Sequence, residues 1–158
     1  MRRVLALPLI PLVVLLVGCA PTVGMTPAPQ ATSARCAGLI VRLPQTLGDA
    51  GRRATGAQAT AAWGTPASVT LTCGVITPAV AATRCTTIGG IDWLLDTRTI
   101  AGAERRVLTT YGRDPGTQIV VDPRTVDPAT VLDALADPLA AATRPTGRRC
   151  LAVSDTAP

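Results

Sequence analysis

The sequence predicts a single α+β domain. An antiparallel sheet of about four to five strands is covered by a short N-terminal helix and a C-terminal helix, and disulfides staple the whole. Three observations carry this reading. Residues 68–73 alternate Val69, Leu71 and Cys73 with Ser68, Thr70 and Thr72, the pattern of a strand with one buried face. Further strand candidates at 91–97, 105–110 and 117–121 are separated by turns rich in Gly, Asp and Pro. Asp127-Pro128 then opens a stripe of Val131, Leu132, Leu135, Leu139 and Ala142 at helical spacing.

Taken in order, the chain begins with an address. Met1-Arg2-Arg3 precedes an apolar run over 4–17, broken only by Pro8 and Pro11. As a helix that run rises roughly 21 Å, short of the ~30 Å hydrocarbon core of a bilayer. A basic start and a short apolar stretch are the marks of a signal peptide, expected over 1–18. Leu16-Val17-Gly18-Cys19 resembles a bacterial lipobox, which makes Cys19 the expected site of lipidation. The surroundings of Arg2-Arg3 fit a twin-arginine signal poorly. Residues 19–34, rich in Pro, Ala and Thr and free of charge, are expected to form a disordered tether holding the domain off the membrane.

The folded part is expected over 35–151, with a loose tail at 152–158. Residues 36–43 suit helix or strand; Leu39 and Leu43 fall on one helical face, so helix is preferred. Residues 48–62 read as loop leading into a weak strand. Pro138, after Asp137, should kink the last helix or restart it with Asp137 as a second cap. No repeat of solenoid length is present.

Five cysteines occur, at 19, 36, 73, 85 and 150. With Cys19 consumed by lipid, four remain for an oxidising compartment, and four allow three pairings. The expected pairing is Cys36 with Cys150 and Cys73 with Cys85. A zinc site is disfavoured, because no CxxC spacing and no His occur.

Composition excludes much chemistry. The 158 residues contain no His, no Phe and no Lys; all 15 basic residues are Arg. Triads with His, imidazole metal ligands, Schiff bases and P-loop lysines cannot be built. Neither a cofactor nor a metal is expected. After removal of Arg2 and Arg3, thirteen Arg face ten acids, a balance of +3. With aromatics at 2 %, nucleic-acid recognition by stacking is not expected.

Trp63, Trp93 and Tyr111 are the only large aromatics, so each is a candidate binding residue, although a Trp in an Ala/Val/Leu core most often fills volume. Arg113 follows Tyr111-Gly112 in a turn and could grip a phosphate or carboxylate as a planar fork; a structural role in the turn is the alternative. Asp92 and Asp96 share one strand face about 13 Å apart, too wide for paired-carboxylate catalysis. The pairs Arg52/Arg53, Arg105/Arg106 and Arg148/Arg149 are expected on the solvated surface.

Several short motifs occur in order: Leu43-Pro44 near Cys36, Trp63-Gly64-Thr65-Pro66, Cys73-Gly74-Val75, Gly90-Ile91-Asp92-Trp93, Tyr111-Gly112-Arg113-Asp114-Pro115 and Cys150. Together they resemble the actinobacterial envelope proteins grouped as domain of unknown function 3515. The resemblance runs from about Cys36 to Cys150. It implies secreted or lipid-anchored proteins, with no established reaction and no cofactor.

The functional expectation is a lipid-anchored protein on the outer face of the cell membrane. It acts as a non-enzymatic binding or interaction module, held to the membrane through Cys19, with an envelope protein or an anionic wall component as partner. The alternative is an envelope hydrolase or transferase using carboxylates such as Asp92, Glu104 or Asp114.

Overall fold

The computed structural model describes residues 21–81 and 84–150. The expected signal peptide, Cys19 and the tail at 152–158 lie outside the described residues. Among these, no helix is long and apolar enough to cross a membrane.

The element order is α1 (Ala34–Arg42), β1 (Thr46–Leu47), β2 (Ala50–Arg53), β3 (Thr60–Trp63), β4 (Val69–Val75), β5 (Arg84–Ile88), β6 (Ile91–Ile100), β7 (Ala103–Tyr111), β8 (Arg113–Asp114), β9 (Gly116–Val121), α2 (Pro128–Ala142) and β10 (Arg144–Pro145). Eight strands form one sheet in the order β1-β2-β3-β4-β9-β7-β6-β5, and β8 pairs with β10 in a small ribbon. All these pairings are antiparallel. The sheet is therefore larger than the four to five strands expected. The short pieces β1 and β2 lie in a Gly- and Arg-rich stretch with no alternation, and partly exposed β5 is held by β6; sequence periodicity registers neither.

The sheet consists of two meanders joined side by side. The chain runs β1 to β4 across one half, crosses to the far edge, and returns through β5, β6, β7 and β9 to pair β9 with β4. The crossing segment, residues 76–81, passes over the sheet face opposite the helices. There Tyr111 donates its phenolic O–H to the Ala79 carbonyl at 3.1 Å, and Arg148 donates to the Pro78 carbonyl at 2.9 Å.

Both helices cover the other face. Ser33 caps α1 by accepting from the Arg35 N–H, and Asp127 caps α2 by accepting from the Thr130 N–H. Leu39 and Leu43 meet Leu132, Leu135 and Leu139 over a sheet face built from Val69, Leu71, Trp93, Leu108, Ile119 and Val121. Pro138 does not restart α2 with Asp137 as a second cap: the helix continues unbroken from Pro128 to Ala142, with Leu135, Ala136 and Leu139 holding its apolar face on the core. Here packing outweighs the hydrogen bond that proline removes.

The disulfides are Cys36–Cys73 and Cys85–Cys150, which corrects the expected pairing. The strand order explains why. Cys73 is on β4 and Cys85 on β5, and three strands separate them in the sheet. Four inter-strand spacings come to about 19 Å, far beyond the ~7 Å that a disulfide spans between Cα atoms. Cys73 instead faces α1, where buried Cys36 waits in the first turns.

The expected tether is also corrected. Residues 21–33 lie along the domain: the Val23 N–H donates to the Ala54 carbonyl, the Gly56 N–H donates to the Val23 carbonyl, and Val23 forms a parallel bridge with Thr55. Further on, the Gln30 N–H donates to the Gly74 carbonyl at 3.0 Å, and Ala31 is buried. Composition argued for disorder because this stretch cannot build a core of its own, but it borrows backbone partners from the sheet edge and the β4 bulge.

Candidate functional site

The two tryptophans do not form a surface site. Trp63 and Trp93 are both 0 % exposed, with the indole N–H of Trp63 donated to the Pro44 carbonyl at 3.0 Å and that of Trp93 to the Ile88 carbonyl at 3.3 Å. Each fills the core and finds one partner, so neither is a binding platform.

Arg113 and Tyr111 are brought to a cleft of about 430 Å³, together with Arg148 and Arg149, which the sequence places only on the solvated surface. The cleft is assembled from two distant parts of the chain. Tyr111 ends β7, and Gly112 turns the chain into β8, where Arg113 pairs with Pro145 of β10. The Thr146 N–H donates to the Gly112 carbonyl at 2.9 Å. Gly112 has φ +66, and a Cβ there would run into the Arg148 carbonyl, so the absence of a side chain lets the 146–149 segment close over the turn. Cys150 then ties that segment to Cys85 on β5.

The floor is Asp92, on β6. Its two oxygens are occupied by the Thr87 hydroxyl at 2.5 Å and the Cys150 N–H at 2.8 Å. Asp92 thus serves to fix the Cys150 backbone. Three arginines and one carboxylate residue, Asp92, line the cleft, with the Arg148 side chain also donating to the Pro78 carbonyl. Among the described residues, the ion pairs join Arg98 to Asp96, Arg106 to Glu104, and both Arg105 and Arg124 to Asp122; Arg113, Arg148 and Arg149 are in none of them. With three arginines against one carboxylate the cleft carries an excess of positive charge, which suits it to a carboxylate or phosphate.

The remaining arginine pairs have structural work. Arg52 donates to the carbonyls of Ile40 and Leu43, tying β2 to the end of α1, and Arg53 donates to those of Gly64 and Pro21. Arg105 and Arg106 point to opposite faces, as strand geometry requires: Arg105 pairs with Asp122, while Arg106 reaches Glu104 and Thr97.

Carboxylates meet elsewhere, in a hollow of about 470 Å³ beside Gly64-Thr65-Pro66 that takes in Asp49, Asp122 and Asp127. Donors hold two of these acids below the usual carboxylate range. Asp122 is held there foremost by the Arg124 side chain, helped by the Arg124 N–H and the charge of Arg105, and Asp127 by the N–H and hydroxyl of Thr130. A lowered pKa is the reverse of what a general acid needs. A larger hollow of about 660 Å³, between the start of α2 and strands β5 to β7, is walled by Ile88, Leu95, Leu108 and Leu132. Its Arg106 and Asp127 are engaged in the pairs just described. No group of three or more metal-ligating side chains occurs among the described residues.

The signal that would have revealed the whole cleft was Gly147-Arg148-Arg149-Cys150, two arginines locked beside a cysteine. It was not usable, because their position depends on which cysteine receives Cys150.

No curated protein and no solved structure matches the chain. The family described as "Protein of unknown function (DUF3515)" matches residues 5–146, reaching well upstream of Cys36. That match covers the helices, the full sheet and the turn bearing Arg113, and the chain belongs to this family.

Proposed function

We propose that the protein is a lipid-anchored, extracytoplasmic binding module of the cell envelope. It is non-enzymatic, and it grips an anionic group of a wall component or envelope partner through Arg113, Arg148 and Arg149. The observation that carries the binding role is that three arginines line one cleft whose single carboxylate is already occupied. A planar fork on a short, doubly braced turn is prepared for bidentate recognition of carboxylate or phosphate. The envelope address is supported by the basic start, the short apolar run and Leu16-Val17-Gly18-Cys19.

Thermal melting of wild type and Arg113→Lys, each with and without anionic wall fragments and with inorganic phosphate as a minimal probe, tests the site. At a ligand concentration of 100 Kd, wild type should gain about 2.7 kcal/mol, visible as a rise in Tm. Arg113→Lys keeps the charge but loses the fork, so most of that shift should vanish. An unchanged Tm in wild type with every anion tried would sink the anion-binding reading.

A further inference from the structure

We infer that the domain sits directly on the lipid surface that holds its anchor, with the β1–β2 edge toward the headgroups, instead of standing away on a stalk. The inference rests on acylation at Cys19 as proposed above.

Its basis is where the chain first meets the fold. The Arg53 guanidinium donates to the Pro21 carbonyl at 2.5 Å, two residues past Cys19. The next contacts, Val23 with Ala54 and Gly56, add a rung along the segment after β2. Farther along, the main chain of Gln30 and Ala31 passes where a Cβ at Gly74 would stand, 2.5 Å from the Gln30 carbonyl carbon. Gly74 has φ +93 and sits at the β4 bulge, so backbone freedom and close approach are both used there. The Cys36–Cys73 disulfide fastens the end of the same strap.

Two Cα–Cα steps cover at most about 7.6 Å, so the Cys19 backbone lies within that distance of Pro21. A free Pro-rich chain from 19 to 34 would instead reach about 45 Å. The docked strap uses up nearly all of that length.

The surface around Pro21 suits apposition without charge attraction. Thr22, Gly48, Asp49, Gly51 and Ala54 are exposed there, and Arg53 is engaged with the carbonyls of Gly64 and Pro21. The cleft of Arg113 lies across the sheet: β2 and β7 are four inter-strand spacings apart, about 19 Å. The anchor thus holds the strap edge down and leaves the cleft on the other half of the sheet.

The test uses the full-length acylated protein in phosphatidylcholine vesicles carrying a headgroup-bound energy acceptor, with a genetically encoded fluorescent residue at Asp49 or at Thr99. Mass spectrometry of the N-terminal peptide comes first; an unmodified Cys19 means that the lipoprotein reading has failed, and the inference falls with it. With acylation confirmed, transfer from position 49 should exceed that from 99 by about twofold or more, given the strand spacings between them. It should be unaffected by 0.5 M salt, roughly a threefold cut in screening length from dilute buffer. Val23→Pro, which removes the donor to Ala54 at a half-buried strap position, and Gly74→Ala, which displaces Gln30, should each lower transfer from 49. Equal transfer from 49 and 99 in the acylated protein overturns the inference. So does transfer that neither strap variant changes while both fold as wild type by circular dichroism.

Discussion

The main-chain carbonyl of Arg148 occupies the space into which a Cβ on Gly112 would project. The turn before Arg113 and the segment bearing Arg148 and Arg149 therefore fit together only with glycine at 112. Gly112→Ala should destabilise the domain by about 2 kcal/mol or more, since φ +66 is strained for alanine and the closing segment must also shift. Urea unfolding reads the stability. Any anion-induced rise in Tm should shrink in the same variant, even though every arginine is retained.

The two disulfides should separate stability from function. They span 37 and 65 residues, so the chain-entropy account assigns each about 4 kcal/mol. Replacing Cys85 and Cys150 together by Ser should lower stability and also free Arg148 and Arg149 from Arg113, abolishing the anion shift. Replacing Cys36 and Cys73 should cost similar stability and leave the shift intact in the folded fraction. Non-reducing peptide mapping checks the pairing itself.

Asp122 should give the protein an acid-sensitive clasp. Hydrogen bonds from the Arg124 side chain hold its carboxyl well below the usual range, and Arg105 adds a second cation. Because the folded-state pKa is depressed, this stabilisation is complete above the unfolded value of about 3.9 and fades as pH falls through the folded one. Wild type should therefore lose stability below about pH 4 more steeply than Asp122→Asn, which is less stable at neutral pH and flatter in acid. Tm measured from about pH 7 to about pH 2 distinguishes the two curves.

Pro138 should be a site of easy stabilisation. It sits inside α2, half-buried, where it supplies no N–H to the helix. Pro138→Ala restores that donor and removes the ring, and should raise stability by about 1–3 kcal/mol in denaturant unfolding. A loss of stability would mean that ring packing matters more than the missing hydrogen bond.

The sequence by itself determined the local elements whose signals are local. Alternation at Val69, Leu71 and Cys73 specified β4, and the Asp127-Pro128 cap with its leucine stripe specified the start and buried face of α2. Leu39 and Leu43 sufficed to choose helix for the first segment. The absence of His and Lys set the boundary on chemistry, and the two tryptophans found the core that their volume favours. Tertiary structure alone decided which distant segments meet. Crossing from β4 to the far edge put three strands between Cys73 and Cys85, and that choice fixed both disulfides and carried Arg148 and Arg149 to Arg113. Docking of residues 21–33 was equally illegible, since it rests on main-chain bonds to Ala54, Gly56 and Gly74 that no side-chain pattern encodes. Periodicity reports the face a residue turns inward; strand order, which places those faces side by side, comes from the packing of the whole chain.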